Sequence, residues 1–208
     1  MNVKDPDAAA VPRSRKAEQS EATRAALIAA GRKLFAERGF GGVGTEEIVR
    51  AAGVTRGALY HHFEGKEDLF AAVYEAVEVD LVTELGTLAA EAHDPLDALH
   101  RGAAMFLEAC RRPEVQRITL IDAPSVLGWE RWREIGLKHG FGLIQGVLEA
   151  GMEQGQIERQ PIRPLAHLLI GAMDEAAMLV ARSDDEQLHR EVGESIDRYL
   201  DTLRPRKR

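Results

Sequence analysis

Apolar positions recur along most of the chain at three- and four-residue spacing, and nowhere do they alternate with polar ones for long enough to make a strand. From about Glu21 the pattern is helical: Leu27, Ile28, Gly31, Leu34 and Phe35 share one face, and Gly39 suits the left-handed residue that ends such a helix. A short helix is expected over 45–52, with Thr45 as its cap and Glu46 and Glu47 at the positive end of its dipole. Gly53 stops it, and Thr55 is placed to cap a third helix ending near His62. After Gly65 a long amphipathic stretch runs from Lys66 to about Ala92, with Leu69, Val73, Ala76 and Val77 along one side. Further helices fit 95–111, 114–121, 129–154, 164–182 and 185–203, with breaks at His93-Asp94-Pro95, Pro113, Ala123-Pro124-Ser125 and Pro161–Pro164. Proline marks such breaks because its ring removes a donor and clashes inside a helix. The pattern predicts an all-α protein of about nine helices.

Composition narrows the class without changing the fold. A chain of 208 residues that is 45% hydrophobic and 29% charged can bury a core without disulfides or metal. One cysteine, Cys110, excludes a disulfide framework within the chain and a four-cysteine zinc site. No uninterrupted apolar run approaches the roughly 18 residues of a membrane span, and Met1 to Lys16 lacks the apolar centre of a secretory signal, so a cytoplasmic location is expected. The net charge of −7 is unevenly spread. Residues 1–70 hold 11 basic and 10 acidic side chains, which leaves 16 against 24 for the rest. An N-terminal module able to meet an anion is compatible with that asymmetry.

Two very short helices joined by a three-residue turn containing glycine have the form of a helix-turn-helix. Ala51, Ala52, Val54, Leu59 and Phe63 are the expected inward contacts, which leaves Arg56, Gly57, Tyr60 and His61 in an exposed row. Such a helix enters the major groove with its N-terminal residues on base edges and its flanks on phosphates. Arg56 has the planar fork that matches guanine O6 and N7, Gly57 permits close backbone approach, and Thr45, Tyr60 and Lys66 suit phosphates. His62 is expected to pack beneath the helix. The bland alternative is a pair of short core helices.

The run Thr45 to Phe70, TEEIVRAAGVTRGALYHHFEGKEDLF, resembles the DNA-binding domain of the TetR family of bacterial transcriptional regulators, and Leu34 to Phe40 resembles that family's first helix and its exit. The likeness covers roughly residues 20–70. It implies a homodimer whose N-terminal three-helix domain binds an operator and whose larger C-terminal domain holds a small effector. It also implies DNA roles for Thr45, Thr55, Arg56, Gly57, Tyr60, His61 and Lys66. Gly65 departs from the family, which often carries a capping side chain there. The expected domains are a flexible arm over 1–18, the helix-turn-helix domain over 19–65, an effector-binding and dimerisation domain over 66–203 and a basic tail over 204–208.

Other chemistries find little support. Gly39-Phe40-Gly41-Gly42-Val43-Gly44 satisfies the dinucleotide fingerprint literally but follows a helix rather than a strand, so no cofactor is expected. His93, His100, His139, His167 and His189 lack paired metal spacing, Cys110 is not marked as a nucleophile, and no enzyme motif is present, so neither a metal site nor an enzyme is expected. In the C-terminal region, helix 164–182 is apolar around most of its circumference and must be covered on both sides. Helix 185–203 carries Leu188, Val192, Ile196, Tyr199 and Leu203 on one face. These two helices are the expected homodimer surface. Gly136, Gly140, Gly142 and Gly146 within one helix leave room either for close packing or for a ligand. Met105, Phe106, Trp129, Trp132, Phe141 and Met173 are candidate apolar walls, and His100, Asp122, His139 and Asp174 candidate polar contacts. The reading is a ligand-responsive regulator, a repressor that binds a palindromic operator as a dimer and is released by a largely apolar effector. The alternative is a helical-bundle binding protein or enzyme with no DNA role.

Overall fold

The computed structural model describes residues 15–205, and all regular structure among them is helical. Helix α1 (Arg15–Arg38) starts earlier than its apolar stripe, because Arg15 to Glu18 are good helix formers with Glu18 in the first turn. Residues 15–18 therefore belong to a helix and not to the expected arm, the rest of which lies outside the described residues, as do tail residues 206–208. The head is completed by α2 (Thr45–Ala51), α3 (Arg56–His62) and the start of α4 (Lys66–Ala90). The body adds α5 (Pro95–Cys110), a turn of helix α6 (Pro113–Val115), a π-helical segment (Gln116–Asp122), α7 (Ala123–Glu153), α8 (Ile162–Ala181) and α9 (Glu186–Asp201).

Local chemistry fixes several boundaries. Thr55 Oγ1 accepts from Ala58 N at 3.2 Å, Asp94 from Asp97 N at 2.9 Å and Asp185 from Gln187 N at 2.8 Å, each capping the helix that follows. Thr45 does not cap α2. That position falls to Gly44, whose N–H donates to Glu47 Oε2 at 3.1 Å, so the third residue of the helix supplies the side chain. Gly53 turns the chain between α2 and α3 at φ 68, which favours glycine.

The break expected at 123–125 does not occur. Pro124 sits in the first turn after the π-helical segment, where its missing donor is tolerated, and the carbonyl of Thr119 accepts from Trp132 Nε1 at 3.1 Å instead. The kink comes at Gly128, whose φ of 75 and ψ of 163 leave the helix, so a straight run does begin at Trp129 as its apolar pattern predicts.

Helix α4 is the spine. Its first half joins the head core, where Phe70 meets Phe35 and Phe40 edge-on, each pair of centroids 5.2 Å apart. Buried rings of this kind each contribute about 2–3 kcal/mol. The same cluster continues through Val73 and Val77 to Cys110, Ile118 and Trp132, so head and body share a core across residue 65. A second cluster joins α5, α7, α8 and α9 through Leu99, Leu148, Leu169, Val180, Ile196 and Leu200. Helix α8 is long and apolar enough by length and composition to cross a membrane, but it carries Arg163, Asp174 and Glu175, and its inner face belongs to this second core.

Candidate nucleic-acid interface and ligand cavity

Buried Leu59 and Phe63, with half-buried Ala52 and Val54, hold α3 across α1 and α2, while Ala51, expected among them, is exposed because it ends α2 on its outer side. The opposite edge of α3 presents Arg56, Gly57, Tyr60 and His61, all exposed. Arg56 keeps 63% of its side chain exposed, although Nη1 donates to Glu46 at 2.9 Å and the guanidinium lies 5.6 Å over the Tyr60 ring. Only Thr55 Oγ1, at 3.9 Å, would come near a Cβ at Gly57, so the backbone there is open to approach. His62 is half-buried beneath the helix, and burial, then His61 and Arg24, hold its pKa below the ordinary imidazole range. This arrangement can offer a fork of donors, a hydroxyl and an imidazole to a groove about as wide as a helix.

Two flanking residues fall into different roles. Thr45 is half-buried at the start of α2, with its hydroxyl outside the cap. Lys66, expected at a phosphate, is turned inward: Nζ donates to the carbonyls of Phe40 at 2.9 Å and Val43 at 3.0 Å and sits 3.9 Å over the Phe40 ring. It fastens the α1–α2 loop to the spine. The same loop carries the dinucleotide-like glycines, where Arg38 donates to the Gly42 carbonyl and to Glu47. The Arg38 hydrogen bond, then the Gly44 N–H, bring the Glu47 carboxyl down to about 2.

The body holds a partly open cavity of about 150 Å³ between α4, α5, α7 and α8, with Leu200 of α9 also on its wall. Its lining is apolar along most of α4 and gathers Tyr74, Glu78, Arg133 and Asp174 at one pole. Arg133 donates to Asp174, and the Tyr74 hydroxyl donates to the Trp132 carbonyl at 3.3 Å. Burial, then the neighbouring Asp174, push the Glu78 carboxyl up to about 7, while burial raises Asp174 to about 6 against the pull of Arg133.

Of the ten candidates for a ligand site, the cavity gathers Phe106, Trp132, Met173 and Asp174. Packing sends the other six elsewhere. His100 pairs with Asp197 at 2.8 Å, and His139 with Glu75 at 2.8 Å. Trp129 is 62% exposed outside the Gly128 kink, Met105 packs on the head-side core, and Phe141 lies against His167 with centroids 5.0 Å apart. Asp122 accepts from Phe40 N at 2.6 Å, joining the π-helical segment to the head. Gly136 and Gly140 line the cavity, whereas Gly142 and Gly146 meet nothing within 4 Å. Sequence reasoning missed Tyr74, Glu78 and Arg133. The available signal was the spacing Tyr74, Glu78, Leu81, Val82, Leu85, which puts a carboxylate into an apolar stripe of α4.

Cys110 is buried, which pushes its thiol up to about 12. Among the described residues no group of three or more His, Cys, Asp or Glu is placed to hold a metal ion.

Comparison with known proteins agrees with both halves. Residues 27–73 match the family described as bacterial regulatory proteins, tetR family, and residues 96–203 match the tetracyclin repressor-like C-terminal domain. The crystal structure of a TetR-family transcriptional regulator from Pectobacterium atrosepticum is 31% identical, covers 94% of this chain and all of its own, and superposes with a TM-score of 0.82. The Transposon Tn10 TetC protein of Escherichia coli is 25% identical over 74% of this chain and 78% of its own length. The HTH-type transcriptional repressor KstR2 of Rhodococcus jostii is 29% identical over 64% of this chain and 66% of its own.

Proposed function

The chain belongs to the TetR family of bacterial regulatory proteins, and from that premise we propose a repressor whose dimer reads a palindromic operator and lets go when a small molecule fills the body cavity. The observation that carries the DNA half is the outward edge of α3, where Arg56, Gly57, Tyr60 and His61 stand exposed beside a capped N-terminus. Arg56 is assigned to a guanine edge, Gly57 to close approach, and Tyr60, His61, Thr45 and the Thr55 end of the helix to base or phosphate contacts. Lys66 is assigned to fixing the loop. A relative named as a repressor supports the direction of control. No catalytic step enters this reading, and an operator target suits a cytoplasmic protein.

Dimerisation is assigned first to α8. Leu168 is 63% and Leu179 44% exposed, and with exposed Glu175 and half-buried Ala172 they form a stripe that the other described residues leave open. Helix α9 buries Val192, Ile196 and Leu200, and the turn after it Leu203, in the chain's own core, so its contribution to the partner is polar. Two recognition helices held about 34 Å apart then meet successive major grooves.

Effector control follows from the wall of the cavity. Thr119 and Leu120 of the π-helical segment line it, and Asp122 on the same segment holds the Phe40 N–H of the head. A ligand that favours one position of this wall over another shifts the spacing of the heads, and one without preference shifts nothing. The test is to recover bound duplexes from a random pool. A motif with two-fold symmetry is expected, and recovery of unsymmetric sequences, or of none above background, overturns the reading.

A further inference from the structure

We propose that the cavity takes a cationic amphiphile, an ammonium group on an elongated apolar body, with the Glu78 carboxylate as its counter-ion. This rests on the effector reading above and adds the chemical class of the effector.

The charges on the wall decide the class. Glu78 of α4, Arg133 of α7 and Asp174 of α8 are the charged side chains among the lining residues. Arg133 is committed to Asp174, and those two charges offset each other. Among the described residues Glu78 has no ion-pair partner; its polar neighbour is the Tyr74 hydroxyl. A Cβ built on Gly136 would lie 4.0 Å from Glu78 Oε2 and 3.4 Å from the Tyr74 hydroxyl, so the carboxyl faces the gap that the glycine leaves. An ionised carboxylate in an apolar cavity is costly until a counter-charge arrives. A ligand cation supplies that charge, a carboxylate ligand meets a wall of net negative sign, and an uncharged ligand relieves nothing. Beyond this pole the wall follows α4 from Tyr74 to Ala89, about 22 Å of helix at 1.5 Å per residue, and is apolar past Glu78. The ligand is therefore a charged head with a long apolar body.

The groups that face Glu78 are Tyr74 on its own helix, Asp174 on α8, with Arg133 of α7 behind it, and the buried thiol of Cys110 on α5. Because burial holds Glu78 near 7, a bound cation displaces a proton below that range. Affinity for the cation then rises with pH by up to about tenfold per unit and levels off above about pH 7.

The test is calorimetric titration of the full-length protein with three probes of one skeleton: phenylbutylamine, phenylbutanol and phenylbutanoate. At about pH 7.5 the amine is expected to bind about tenfold or more tighter than the alcohol, with the acid weakest. Its affinity should rise between about pH 5.5 and pH 7. Glu78→Gln should bring amine and alcohol within about twofold of each other and reduce the pH dependence to what the Asp174 carboxyl contributes. Should that variant fail to fold, the wild-type ranking and pH profile decide alone. An alcohol as tight as the amine, a tighter acid, or no binding by any probe overturns the proposal. Amine binding that leaves operator affinity unchanged overturns the effector reading instead and leaves the ligand class standing.

Discussion

At the scale of the residue, Glu78 and Lys66 respond differently to replacement. Glu78 is destabilising when ionised: its folded carboxyl titrates near 7 against 4.5 for the free group. The penalty is therefore absent below about pH 4, and stability is lost as pH rises from there through about 7. Glu78→Gln should raise stability at pH 8 by about 2–3 kcal/mol while changing little at pH 4, as chemical denaturation at the two pH values would read. Equal effects at both would contradict the burial argument. Lys66→Met removes two hydrogen bonds to the α1–α2 loop. It should cost about 1–3 kcal/mol in the same assay and leave the salt dependence of operator binding unaltered. A stable variant with a shallower salt slope would return Lys66 to a phosphate. The exposed row of α3 was legible because a local motif determines it, from Thr55 as cap to His61 at the outer edge. Lys66 was not legible, since the direction of its side chain depends on where the α1–α2 loop returns. Glu78 escaped notice because a lone carboxylate in a long helix reads as a solvent-facing residue until α7 and α8 close over it.

At the scale of the element, the apolar period specified type and approximate extent for the helices, and the departures have local causes. The helix after Gly128 begins where its pattern starts, but the proline before it does not break the chain, because the π-helical segment has already shifted the hydrogen-bond register. That segment has one face in the cavity and another on the head. Asp122→Ala leaves the Phe40 N–H without its acceptor, a loss of about 1–3 kcal/mol. Ligand should then shift operator affinity less than in the wild type, measured as the ratio of operator Kd with and without ligand. An unchanged ratio would remove Asp122 from the coupling. Both helices of the expected dimer surface had apolar stripes in sequence, yet only packing reveals that α9 spends its stripe inside its own chain while α8 keeps Leu168 and Leu179 outside. Leu168→Glu should therefore yield a monomer by sedimentation at micromolar concentration while preserving the helical content. A persistent dimer would move the interface off α8.

At the scale of the whole molecule, a near-neutral N-terminal segment and an acidic remainder fit the proposed approach to DNA by one end. Head and body are not separate units, since one core runs along α4 from Phe35 to Trp132. In the proposed mechanism, a displaced cavity wall would act on the heads through this shared core. In the proposed complex α3 enters the major groove and reads a base with Arg56, which makes the protein's choice of sequence depend on that guanidinium. That dependence is tested most directly by titrating wild type and Arg56→Ala against a recovered operator and against copies altered at single base pairs. The wild type should lose about 1–3 kcal/mol at one guanine in each half-site, and the variant should be indifferent there while keeping its sensitivity to salt. Equal penalties for both proteins at every position would contradict the account.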